Sequence, residues 1–133
     1  MAKLTILDND FATLWYHTDT RIVHHQIKKY IYGVHLQDLL NKGTETLIQN
    51  RAIKWISDDR RNNALTLQDQ DWANNVWFPK TAKAGWKFWA MVQPEKLAGQ
   101  LNMQKQANVV TNGGVTVGTF SDPDEAMSWL LAQ

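Results

Sequence analysis

The residue types that could do chemistry are concentrated in one short stretch, KWISDDRRNNALT, at residues 54–66. Two acids, two arginines and two asparagines follow a short apolar run there. A pair of carboxylates could bind a cation, or one of them could act as a base. An arginine could hold a carboxylate or a phosphate through two parallel hydrogen bonds. A structural alternative stays open, in which the acids pair with the arginines and fix the loop.

The segment after this stretch is rich in aromatic side chains. Seven tryptophans in 133 residues is a high number, and most tryptophans in proteins are packed into a core or an interface. Trp72 and Trp77 are five residues apart, so on an α-helix their side chains lie about half a turn apart around the axis. One is therefore expected to face the core and the other solvent or a partner. We predict a recognition site for a ligand or a partner at Ser57, Asp58, Asp59, Arg60, Asn62, Trp72 and Trp77.

No catalytic or metal-binding pattern accompanies these residues. The sequence has no Gly-x-Ser-x-Gly motif, and the glycines of TNGGVTVG precede a strand, which is the wrong context for a phosphate-binding loop. His24 and His25 are adjacent in a predicted strand and therefore face opposite sides of the sheet. We expect no catalytic residues, no metal and no cofactor, and hence a non-enzymatic protein.

Composition narrows the class of protein. The length fits one domain over residues 1–133, and the net charge of +1 argues against a nucleic-acid partner. Cysteine is absent, so disulfides and thiolate chemistry are excluded. The first residues lack the apolar core of a signal peptide, and no run approaches the length of a transmembrane span. A cytoplasmic location is the expectation.

The elements that would position the site follow from periodicity. LTIL, FATLWYHT and RIVHHQIKKYI predict an antiparallel meander, with Leu14 and Tyr16 on one face and Thr13 and Trp15 on the other. Helical and strand-like segments then alternate. The predicted helices are GVHLQDLLNKGTETLIQN, TLQDQDWANNVWFPKTAKAG with a kink at Pro79, PEKLAGQLNMQKQAN and SDPDEAMSWLLAQ, and the predicted strands are AIKWIS, WKFWAMV and VTVGTF. This order predicts an α/β protein with a largely parallel sheet after the meander.

The order of elements, with RIVHH, KWISDDR, DWANNVWFPKTAKAG, FWAMV and VGTFSDPDEAMSWL, resembles the STAS / SpoIIAA-like superfamily. More narrowly, the chain looks like the small stand-alone bacterial proteins labelled STAS/SEC14-like. The resemblance implies a SpoIIAA-like mixed sheet, with N-terminal antiparallel strands followed by β-α units, and it covers most of the chain.

The resemblance also raises a phosphorylation switch, since classical members are modified on a serine in an Asp-Ser-Ser-Gly motif at a helix start. Here the region reads SDDRRNNALT, in which Ser57 is followed by Asp58 without a second serine or a glycine. The expected function is therefore a regulatory or protein-interaction module whose partner is another protein or a second copy in a homodimer. The alternative is a binding protein for a small anionic or lipid-like ligand.

Overall fold

A computed structural model describes residues 2–133 as an α/β protein built on one six-stranded mixed sheet. The strands are β1 (Lys3–Asp8), β2 (Ala12–His17), β3 (Ile22–Ile27), β4 (Lys54–Asp58), β5 (Phe88–Val92) and β6 (Thr116–Phe120). The helices are α1 (Val34–Asn50), α2 (Leu67–Trp72), α3 (Phe78–Lys83), α4 (Leu97–Asn112) and α5 (Pro123–Leu131), and a π-helical turn, Ala73–Trp77, joins α2 to α3.

The strands lie in the sheet in the order in which they occur in the chain. β1, β2 and β3 pair antiparallel, and β3, β4, β5 and β6 pair parallel. The predicted α/β class and the change from an antiparallel meander to parallel β-α units are confirmed. The narrower SpoIIAA-like assignment stays a prediction.

The two faces of the sheet carry separate cores because side chains alternate along each strand. In β4, Trp55 belongs to the main core, which α1, the π turn, α3 and α4 complete. Its neighbour Ile56 belongs to a smaller second core, which α5 closes through Ala126 and Leu130. The loop after β4 therefore emerges between two differently covered faces.

Local signals place the helices around this loop. Thr66 caps α2, since its hydroxyl accepts a hydrogen bond from the Asp69 amide at 3.1 Å. Asp122 caps α5 in the same way, accepting from the Asp124 amide at 3.0 Å. The main core holds α1 close to β4 because position 43 is glycine: a methyl group on Gly43 would overlap the Trp55 ring.

Two predicted helices differ in detail. The chain turns from α2 into α3 through the π turn and continues past Pro79, which stands in the first turn of α3, where its missing amide costs little. α4 begins at Leu97 and not at Pro94. Within residues 2–133, no helix has the length and apolar character needed to cross a membrane.

Candidate ligand-binding site

The two neighbouring acids at the end of β4 lie on opposite faces of the sheet. Asp58 shares the face of Ile56, and its carboxylate turns away from the main core. Asp59, one residue beyond the strand, hydrogen-bonds Ser57 and His25 on the main-core side. Both carboxylates are buried, with about 5% of each residue exposed. The adjacent acids therefore serve two different environments.

Asp58 forms a bidentate ion pair with Arg60. Nε and Nη2 of Arg60 donate to the two carboxylate oxygens of Asp58 at 2.9 and 2.8 Å. The hydrogen bond to Asp58 raises the pKa of Arg60, and the nearby Glu95 and Asp122 add to this effect. This half of the charged stretch is a salt-bridged corner, and the Arg60 guanidinium is already engaged.

Asp59 belongs to a buried hydrogen-bond chain on the other side of the sheet. Trp55 Nε1 lies 3.0 Å from His25 Nδ1, and His25 Nε2 lies 3.2 Å from Asp59 Oδ1. Ser57 Oγ donates to Asp59 Oδ2 at 2.8 Å and accepts from Trp89 Nε1 at 2.7 Å. Parallel pairing explains the assembly, because His25 on β3 lies directly beside Ser57 on β4. Each indole nitrogen thereby finds an acceptor.

The hydrogen-bond chain also defines which ring nitrogen of His25 carries the proton. An indole N–H can only donate, so Nδ1 of His25 must present its lone pair to Trp55. The imidazole proton is then on Nε2 and is donated to Asp59. His25 is neutral in this arrangement, and its contact with Asp59 is a hydrogen bond and not an ion pair.

This hydrogen-bond chain forms one wall of a cavity of about 70 Å³ between the sheet and the helices. Most of the lining is apolar and aromatic. The cavity is lined by His25, Ile27, Leu36, Leu40, Trp55, Ser57, Asp59, Asn62, Leu65, Ala73, Trp77, Phe78, Trp86, Trp89, Met103, Gln106 and Val110. A small, mainly apolar cavity with a few convergent polar groups is the usual form of a ligand site.

Two side-chain amides complete the polar lining. Asn62 uses its Oδ1 atom to accept a hydrogen bond from the Ile31 amide at 3.2 Å, which fixes the loop across the strand ends. Gln106 on α4 lines the cavity and is only 7% exposed, but its polar atoms are not fully buried: the buried side-chain atoms without a partner within residues 2–133 are His17 Nδ1 and Thr20 Oγ1. The Gln106 amide can therefore hydrogen-bond solvent or a ligand in the cavity.

The order of groups in the hydrogen-bond chain does not match a nucleophile relay. Asp59 stands between Ser57 and His25, so the serine proton is directed to the carboxylate and not to the imidazole. In an activated serine the histidine stands between the other two residues and takes the serine proton. The arrangement can hold and orient a polar group, which is a binding role.

The predicted aromatic pair is brought to the same core. Trp77 lines the cavity and donates its indole N–H to Thr44 Oγ1 at 2.9 Å. Trp72 is half-buried and packs against the main core. Trp77 is thus the core-facing member of the pair and Trp72 the partly exposed one, and the π turn brings both nearer to one side than a regular α-helix would.

Of the predicted site residues, Ser57, Asp59, Asn62 and Trp77 line the cavity, whereas Asp58 and Arg60 form the corner outside it and Trp72 supports the core. Sequence reasoning missed the contributions of His25, Trp55, Trp89 and Gln106. Strand alternation puts His25, Trp55 and Ser57 on one face, so the register of β3 against β4 was the missing information. No local signal identifies Gln106.

A pair of histidines, His17 and His24, lies on the face of the sheet opposite the cavity. His17 Nε2 and His24 Nδ1 are 3.0 Å apart and their rings are stacked. Burial lowers the pKa of both, that of His24 to about 3. Within residues 2–133, no three histidine or carboxylate side chains converge as metal ligands.

The fold and the site together define an α/β protein with a partly open aromatic cavity beside the end of a central strand. Compared with known proteins, the chain matches no protein-family model, no curated protein and no solved structure. The resemblance to the STAS superfamily therefore stays a prediction.

Proposed function

We propose that the protein is a non-enzymatic binding module that holds a small ligand in the cavity between the sheet and α1, the π turn and α4. One observation carries the proposal: the buried chain from Trp55 through His25, Asp59 and Ser57 to Trp89 lies on the wall of an otherwise apolar cavity. Polar groups of this kind orient a ligand, and the apolar walls supply most of the contact.

The size and charge of the cavity restrict the ligand. A cavity of about 70 Å³ is smaller than the roughly 150 Å³ apolar cavity known to accept benzene, so an acyl chain does not fit. The anionic ligand expected from the two arginines is disfavoured, because Asp59 faces the cavity while Arg60 is bound to Asp58. The proposal therefore keeps the small-ligand alternative and replaces its anionic or lipid-like chemistry.

A surface near the same loop supports a second candidate, the regulatory or protein-interaction module, with another protein or a second copy as partner. Leu67, Leu97 and Leu101 are between 59% and 79% exposed. The segments that carry Leu67 and Leu101 are adjacent, since Asn102 accepts a hydrogen bond from the Leu65 amide at 3.0 Å. Exposed leucines in one region are typical of interaction surfaces.

Native mass spectrometry of the purified protein tests the two candidates together. A bound small molecule that is lost in the Ala73→Leu variant supports the cavity, because Ala73 lines it and a larger side chain fills it. Ala98→Leu, at an exposed position of α4, is the matched control and should keep the ligand. A dimer without a small molecule, unaffected by Ala73→Leu, would support the interaction module instead.

A further inference from the structure

We propose that the cavity ligand is a small organic cation, an alkylammonium whose N–H groups are held by Asp59 and whose carbon atoms contact the tryptophan walls. The inference rests on the cavity-binding function proposed above and specifies its ligand class. Three features of the cavity lead to it: the Asp59 carboxyl group, the tryptophan walls and the Gln106 amide.

The first feature is the buried Asp59 carboxyl group, which accepts hydrogen bonds only from neutral side chains. Two neutral groups donate to Asp59: the Ser57 hydroxyl and the Nε2–H of His25. His25 is neutral because its Nδ1 accepts the indole N–H of Trp55. Within residues 2–133, no lysine or arginine nitrogen lies within ion-pair distance of Asp59. A cation in the cavity would add a charge-assisted hydrogen bond to this carboxyl group, which is stronger than the two neutral ones that it already accepts.

The second feature is the set of aromatic walls. Trp55, Trp77, Trp86 and Trp89 all line the cavity. Their rings are mutually inclined, by 89° for Trp55 and Trp77 and by 51° for Trp86 and Trp89, so their faces point in several directions. Tryptophan is the aromatic ring that attracts cations best, and cages of such rings recognise ammonium groups.

The third feature is the amide of Gln106, which lines the cavity, is 7% exposed and is open to solvent or a ligand there, since it is not among the fully buried side-chain groups without a partner. Its carbonyl oxygen can accept an N–H from an ammonium group. An anion would gain only the amide N–H and would meet the Asp59 carboxylate. The Gln106 carbonyl and the Asp59 carboxyl group can therefore both accept hydrogen bonds from an ammonium ligand.

Three small probes of matched size and different charge test the ligand class: isopropylammonium, 2-propanol and acetate. The readout is the NMR shift of the indole N–H signals of Trp55 and Trp89, which both belong to the hydrogen-bond chain. We expect isopropylammonium to bind at least about tenfold more tightly than the other two, since hydrogen bonds to charged groups are the stronger ones. Its dissociation constant should lie roughly in the millimolar range, because so small a ligand makes few contacts.

The outcomes separate the two proposals. Equal binding of all three probes, or preferential binding of acetate, would overturn the cation class and leave the cavity as a binding site. Absence of a shift with every probe would overturn both proposals. Preference for isopropylammonium supports both, and this comparison in the wild-type protein stands even if a variant fails to fold.

The neighbouring acids provide a matched pair of variants. Asp59→Asn removes the charge beside the cavity and should weaken isopropylammonium binding by about tenfold or more, with 2-propanol binding unchanged. Asp58→Asn removes the same charge from the opposite face of the sheet and should leave both affinities unchanged. An equal loss in both variants would overturn the proposal, because binding would then follow overall charge and not the cavity carboxylate.

Discussion

At the scale of single residues, the two acids after β4 show how one step along a strand changes the role of a side chain. Asp58 is neutralised by Arg60 at a partly exposed corner. Asp59 is held by neutral donors beside the cavity. The difference follows from the alternation of side chains between the two faces of the sheet. The same type of residue is therefore structural at one position and available for binding at the next.

Ser57 links the two branches of the buried chain, and its removal should be costly. Ser57 is 2% exposed, and its hydroxyl accepts from Trp89 and donates to Asp59. Ser57→Ala leaves a buried indole N–H without its acceptor and should lower the free energy of unfolding by about 1–3 kcal/mol. Urea denaturation measures this, with Ser128→Ala at an exposed position of α5 as the control. A loss equal to that of the control would show that the hydroxyl is replaceable by solvent.

His24 should make stability depend on pH. Burial is the largest cause that lowers its pKa from 6.5 to about 3. Between these pH values the unfolded chain binds a proton that the folded protein does not, so stability falls as pH falls. The loss from pH 7 to pH 5 should be about 1–2 kcal/mol, measured by urea denaturation at each pH.

His24→Gln removes this group and should flatten the dependence of the unfolding free energy on pH in the same interval. His35→Gln, at an exposed position in the first turn of α1, serves as the control and should keep the wild-type slope. An unchanged slope in His24→Gln would mean that other groups cause the acid sensitivity.

At the scale of elements, the sequence predicts more of the fold than of the site. The core-facing positions of Leu14 and Tyr16 in β2 and the caps at Thr66 and Asp122 follow from local signals, and the structure agrees with each of them. The π turn at Ala73–Trp77 is not local, because it satisfies tryptophan packing in the core. The site depends on the register of β3 against β4 and on which face of α4 turns inward.

Helix α4 illustrates why that inward face could not be predicted. The spacing of Leu97 and Leu101 marks an apolar stripe, yet both side chains are exposed, whereas Asn102 and Gln106 are buried. Apolar periodicity identifies the buried face only when hydrophobic contact decides the packing. Here hydrogen bonding decides part of it, since Asn102 accepts from the Leu65 amide at 3.0 Å.

The contact between α1 and β4 should be sensitive to one methyl group. Gly43→Ala would drive a methyl into the Trp55 ring and should lower the free energy of unfolding by about 1–3 kcal/mol. Intrinsic helix propensity alone predicts the opposite, a gain of about 1 kcal/mol. Thermal or urea denaturation gives the sign, and Asn41→Ala at an exposed position of α1 should show only the propensity effect. A stabilised Gly43→Ala would show that the Trp55 ring can move aside.

At the scale of the whole molecule, one sheet serves two cores. The central strands contribute alternately to both, as Trp55 and Ile56 do in β4, so neither core can open without disturbing the other. A chain of this length is expected to unfold in one cooperative transition. The aromatic cavity on one face is thereby coupled to the packing of α5 on the other.

Leu130→Ala tests this coupling, because Leu130 is fully buried between α5 and the second core. The truncation should lower the free energy of unfolding by about 2–5 kcal/mol. The denaturation midpoint followed by tryptophan fluorescence, which is dominated by the cluster on the opposite face, should fall. The midpoint followed by far-ultraviolet circular dichroism should fall by the same amount. Leu131→Ala changes a neighbouring side chain that is 45% exposed and should have little effect on either signal. If the circular dichroism signal of Leu130→Ala falls first while the fluorescence midpoint stays at the wild-type value, α5 unfolds on its own and the two cores are independent.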